Sequence, residues 1–182
     1  MKLKRAVAAA MLAAAGMLIF AAQSQASPAK INASVRLTLD QFFARTPGAR
    51  ELANSAAGVL VFPTVVKAGF GVGGEYGEGA MLIRGQPVGY YNIVSASFGF
   101  QLGASSRSVI IMFMTPRALA GFDAKAGWKV GVDGSVTLIT LGAGASIDTD
   151  KITSPVIGFV LDQKGLMYNL TLEGSKISRI NP

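Results

Sequence analysis

The chain has 182 residues, with 17 Lys and Arg against 10 Asp and Glu, 22 glycines, and neither cysteine nor histidine. Without Cys and His there is no disulfide framework, no lipidated N-terminal cysteine, no zinc site of the common types, no Ser-His-Asp triad and no Cys-His pair. The basic residues are spread singly, which argues against a nucleic-acid partner and for a solvated surface with a weak preference for anions.

Residues 1–26 read as a secretory signal peptide. Lys2, Lys4 and Arg5 form a basic start, Ala6 to Ala22 run apolar without a charge, and Ser24-Gln25-Ala26 supplies small residues around a cleavage point. The apolar run is short and alanine-rich for a retained anchor. Its removal would leave 27–182 as one domain with 14 basic against 10 acidic residues, exported to the periplasm, with association to a membrane surface left open.

Val35, Leu39, Phe42 and Phe43 follow helical spacing after Asn32 and Ser34, either of which can cap, and Thr46-Pro47-Gly48 ends that helix, placed at Ala33 to Arg45. A second short helix is expected over Ala49 to Ala57. From Gly58 onward short β-prone runs take over. Strands are expected at Val59–Phe62, Gly69–Tyr76, Ala80–Arg84, Val88–Leu102, Ser108–Met114, Trp128–Thr140, Val156–Leu161, Leu166–Leu172 and Lys176–Ile180. Arg84-Gly85-Gln86-Pro87, Asp162-Gln163-Lys164-Gly165 and Glu173-Gly174 read as hairpin turns. Val109 to Met114 is apolar on both faces, as a central strand would be. Thr115 can cap a helix that Pro116 opens and Phe122 closes. The class is α+β: one domain, an antiparallel curved or barrel-like sheet with short N-terminal helices and one internal helix.

Gly69, Gly71 and Gly74 satisfy G-x-G-x-x-G, yet no helix opens after them, so the amides and dipole that hold a dinucleotide pyrophosphate are missing. Glycines in a strongly bent strand, where another backbone or a ligand comes close, fit better. The carboxylate pairs Glu75/Glu78 and Asp148/Asp150 are the remaining acid or base candidates, and too few ligands surround the second pair for a calcium loop. No catalytic residue, metal or cofactor is expected. A small outer-membrane barrel is disfavoured by the N-terminal helices, the helix after Thr115 and the two-sided apolar run.

The segment from Ala57-Gly58-Val59-Leu60-Val61-Phe62-Pro63 through Lys67-Ala68-Gly69-Phe70-Gly71 to Tyr76-Gly77-Glu78-Gly79 resembles the signature of the SYLF-domain family. Ser95 to Gly103, Gly131-Val132-Asp133-Gly134-Ser135 and Gly165 to Leu170 leading into Leu172-Glu173-Gly174 are similar to further blocks of that family, in the same order. The resemblance implies lipid binding rather than chemistry. Eukaryotic members attach to phosphoinositide-bearing membranes, partly through an N-terminal amphipathic helix, and some bind actin; for an exported chain it implies an envelope phospholipid instead. The residues that would serve are Lys67 beside Phe70, Lys125 and Lys129 around Trp128, and Arg36, Phe42 and Phe43 on the first helix. Core packing of the helix face and of Phe70 and Trp128 is the competing reading for each. A structural envelope protein that scaffolds a protein partner is the alternative function.

Overall fold

The computed structural model of the chain describes residues 26–139, 147, 153–165 and 172–182, and leaves the side chains of 70–72, 97–103 and 162–165 undescribed. The elements in chain order are α1 Pro28–Arg45, α2 Ala49–Ser55, β1 Gly58–Ile83, β2 Gln86–Phe113, α3 Pro116–Asp123, β3 Trp128–Lys129, β4 Thr137–Ile139, β5 Val156–Gly165 and β6 Lys176–Ile180. The α+β class expected from the sequence holds, with one curled mixed sheet rather than a purely antiparallel one, because β4 runs parallel to β5.

The sheet is organised by one long hairpin. Strands β1 and β2 pair antiparallel from Gly58↔Phe113 to Ile83↔Gln86. The expected strands at 59–62, 69–76 and 80–84 are thus one strand, and those at 88–102 and 108–114 are another. At about 3.3 Å per residue the 26 residues of β1 would extend about 86 Å, roughly twice the diameter of a compact chain of this size. The hairpin therefore coils. Register shifts at Phe62/Val65 and Phe70/Val72 bend it, the first at Pro63, which cannot donate to the ladder. Arg84 (φ 51°) and Gly85 (φ 74°) close it in the left-handed region that a two-residue turn needs.

Coiling brings the two halves of β1 together, and its glycines permit this. A Cβ on Gly77 would lie 2.7 Å from the Thr64 carbonyl oxygen, and one on Gly79 would run into the Val61 carbonyl. The glycine-rich stretch is a strand thinned so that its own backbone can pass close by.

The far edge of β2 is shared. Its first half pairs with β6 (Tyr90↔Ile180 to Val94↔Lys176), and its second half pairs with β5 (Ser105↔Gly165 to Phe113↔Val156). Both faces of the coil are covered. Leu60, Phe62, Met81, Ile93, Ile111 and Phe113 fill its inside with Phe122 of α3 and Trp128. Val59, Val61, Ile110, Met112 and Phe159 pack outward against Ile31, Val35, Phe42 and Leu52 of α1 and α2. Val109 to Phe113 feeds both clusters alternately and is fully buried, the two-sided role its composition anticipates.

Helix α1 starts five residues before the expected Ala33. Ser27 stands at the cap position and Pro28 in the first turn, while Asn32 donates to the Tyr90 hydroxyl (2.9 Å) instead of capping. In α3, Thr115 caps as expected, its hydroxyl accepting from the Ala118 N–H at 3.1 Å. Two other expectations are corrected. Residues 162–165 continue β5 rather than turning, since Lys164 and Gly165 pair with Ser106 and Ser105. Trp128–Thr140 is no single strand: Gly131 (φ 86°) starts a turn, and the Asp133 carboxylate takes the Lys129 N–H (2.8 Å). Glu173-Gly174 does turn, with Gly174 at φ 80°. Of the expected strand Leu166–Leu172, residues 166–171 lie outside the described residues, as do Thr140, Asp148 and Asp150.

Candidate functional site: a lysine row and a cleft along α1

Three residues expected at a lipid surface lie inside. Trp128 is buried against Phe113 and Phe122, with ring centroids 6.1 Å and 5.6 Å away. Phe42 is buried beneath α1, 5.0 Å from the Phe159 ring. Lys67 is buried at the bend of β1, where its ammonium lies 3.2 Å from Glu75. The cause is the same in each case: the coil and the helix give these side chains protein partners that a linear reading cannot locate. Phe43 is half-buried under the Arg50 guanidinium (4.5 Å), and Arg36 is exposed. Phe70 pairs with Leu102 through its backbone, and its side chain lies outside the described residues.

Lys125 and Lys129 remain at the surface and are tied to one carboxylate. Lys125 Nζ lies 3.2 Å from Asp133, and the Lys129 N–H donates to the same residue. That N–H, with Lys125 behind it, holds the Asp133 carboxyl below its ordinary range. Across the sheet Lys129 is directly opposite Lys176, Lys176 opposite Val94, and Val94 opposite Tyr76. Directly opposed residues share a face. A row of two exposed lysines, the 43% exposed Val94 and the half-buried Tyr76 therefore crosses four strands on one side. Lys176 and Val94 escape a sequence reading because only register brings them to Lys129.

Beside this row a cleft follows α1. One part, about 390 Å³, lies between Lys30, Ile31 and Ser34 of α1 and Pro63, Thr64, Val66, Tyr76 and Glu78 of β1. The other, about 350 Å³, shares Ser34, Pro63 and Thr64 and continues past Leu37, Gln41 and Arg45 to Ser106 and Arg107 of β2. In the first part the Tyr76 hydroxyl donates to Glu78 Oε1 (2.6 Å), and the Ala26 N–H donates to Oε2 (2.9 Å). Burial, then the bond to Glu78 and its charge, push the Tyr76 phenol up to about 12, against a smaller opposing bond from Asn92. Under the second part Arg107 Nη2 meets Glu75 Oε2 at 2.8 Å. Two cations, Lys67 and Arg107, thus share one carboxylate below the cleft floor.

Glu75 is sealed in that ion cluster, and Glu78 accepts from the Tyr76 hydroxyl. Among the described residues no three His, Cys, Asp or Glu stand close enough to hold a metal. Among them, too, no helix is long and apolar enough to cross a membrane.

The fold is α+β, a single curled sheet that carries a basic row and a cleft along α1. Residues 94–181 match the family model Ysc84, described as Las17-binding protein actin regulator. This match supports the assignment of the chain to the SYLF-domain family, the one its glycine-rich signature resembles. No curated protein matches the chain.

Proposed function

We propose that this chain is an exported, non-enzymatic protein that makes peripheral contact with phospholipid in the cell envelope. The observation that carries the reading is the pairing of Lys129 with Lys176, both exposed, beside the exposed Val94. Like charges directly opposite one another destabilise a sheet, and an anionic surface offsets that cost while accepting about 1 kcal/mol of attraction per lysine near it. Apolar neighbours such as Val94 suit the interfacial zone under the head groups. SYLF family membership points the same way.

The test is co-sedimentation of the exported protein with liposomes of graded phosphatidylglycerol content and salt. Binding that rises with anionic fraction, weakens with salt and falls in the Lys129→Ala/Lys176→Ala double variant supports the reading. Absence of binding at every composition removes it. The mass of the purified protein checks the expected loss of residues 1–26 at the same time.

A further inference from the structure

We infer that Glu78 holds the amino terminus that processing creates, so that loss of residues 1–26 ties α1 to β1 by an ion pair; this inference rests on the export reading above, with cleavage after Ala26. Glu78 is half-buried in the first part of the cleft, and its two oxygens take the Tyr76 hydroxyl (2.6 Å) and the Ala26 N–H (2.9 Å). Both donors are neutral. Among the described residues this carboxylate has no cation within ion-pair distance, although the exposed Lys30 of α1 lines the same part of the cleft. Cleavage changes the donor. Water adds across the Ala26–Ser27 amide at the processing peptidase; the new carboxylate leaves on Ala26, and an ammonium stays on Ser27. Ser27 is itself held, because its carbonyl accepts the Ile31 N–H (3.0 Å) in the first turn of α1. One residue spans about 3.8 Å, so the ammonium need move no further than that to stand where the Ala26 nitrogen stands.

The helix needs that partner as well. Its first turn contains no acid, and the Ser27 side chain makes no cap bond there. A positive charge at the positive end of a helix dipole is unfavourable unless an anion stands beside it. Glu78 is that anion, supplied by β1. Asn92, opposite Glu78 on β2, and Ser178 beyond it on β6 carry no charge, so the titratable groups around the pair are Tyr76 and Lys30. The chain that has lost residues 1–26 is thereby fastened at α1 by a charge that the longer chain does not have.

An amino-terminal serine offers a selective probe. Periodate, a two-electron oxidant, breaks its Cα–Cβ bond: formaldehyde and ammonia leave, iodate forms, and an uncharged aldehyde replaces the ammonium, while serines within the chain do not react. The exported protein is melted thermally before and after periodate, as parent and as Glu78→Gln, with the intact mass read on each. At about pH 6.5 the treated parent is expected to melt about 2–4 °C lower, and treated Glu78→Gln to melt as before. Pairing keeps the amine protonated beyond its ordinary value of about 7.7, so the parent's advantage over its treated form is complete below that pH and is lost as the pH rises through the raised folded value. That pH series carries the test by itself should Glu78→Gln fold poorly. An unchanged melt in the treated parent, or equal falls in parent and Glu78→Gln, overturns the inference, as does a mature chain that begins elsewhere than Ser27. A mass that still contains residues 1–26 removes the export reading with it, whereas lipid contact is decided separately by the co-sedimentation above.

Discussion

Arg107 Nη2 lies 2.8 Å from Glu75 Oε2, while Lys67 Nζ lies 3.2 Å from the other oxygen of the same carboxylate. One buried acid thereby joins two positions of β1, eight residues apart, to β2 at the place where the hairpin bends. Removing that acid takes away the anion that the two buried cations share. Glu75→Ala is expected to destabilise the fold by about 3–5 kcal/mol, the usual cost of breaking a buried ion pair. Urea midpoints of the variant and the parent test this, and a Glu75→Ala variant as stable as the parent would show that the cluster does not fix the bend.

The contact between the two halves of β1 makes a sharper prediction about glycine. A methyl on Gly79 would enter the Val61 carbonyl, which is backbone and cannot rotate away. Gly85 has open space around it, but a φ of 74° that disfavours a side chain. Gly85→Ala should therefore cost about 1 kcal/mol from backbone strain. Gly79→Ala should cost several times more, or prevent folding. Similar losses in thermal unfolding for both would mean that the two halves of β1 do not approach as closely as described.

These two sites mark where sequence reasoning reached and where it stopped. The class, the α3 cap at Thr115, the Arg84-Gly85 turn and the central burial of Val109 to Phe113 rest on local signals, and local signals survive folding. The merging of five expected strands into two did not show, because glycine usually punctuates a strand, whereas Gly77 and Gly79 thin one that continues. Lys67 reads from the sequence as a head-group contact, since its partner Glu75 is eight residues away on the same strand and only the folded sheet brings them together. Lys176, Val94, Arg45 and Arg107 carry no motif at all. Their significance comes from register and from the cleft walls, neither of which is written in the order of residues.

Tyr76 supplies a spectroscopic check on the first part of the cleft. Its phenol, pushed up to about 12 by burial and by Glu78, should stay neutral when an ordinary tyrosine ionises near 10. The folded state then holds the proton more tightly than the unfolded state. Any stability that depends on this proton is complete below about pH 10 and is lost as the pH rises toward 12. Ultraviolet titration of the parent and of Tyr76→Phe should differ by one late-ionising phenol, and Glu78→Gln should bring that step earlier. A Tyr76→Phe difference spectrum centred near pH 10 would contradict the bond to Glu78.

Asp133 is tied to the lysine row, and it allows the side that carries Lys129 and Lys176 to be tested by gain rather than loss. Its carboxyl accepts the Lys129 N–H and pairs with Lys125, and both hold it ionised below the ordinary carboxylate range. With its folded value depressed, whatever stability it contributes is present above its unfolded value and is lost as the pH falls through the folded one. In Asp133→Asn the amide oxygen can still accept from Lys129, so the turn is kept while the negative charge beside Lys125 and Lys129 is removed. If this side meets an anionic membrane, affinity for phosphatidylglycerol vesicles should rise by up to about fivefold, one charge near the surface, with a steeper salt dependence. The parent should gain the same increment as the pH is lowered through the Asp133 titration, and the variant should not. Unchanged or weaker binding by Asp133→Asn, in a protein whose parent binds normally, would place the contact away from Lys129 and Lys176.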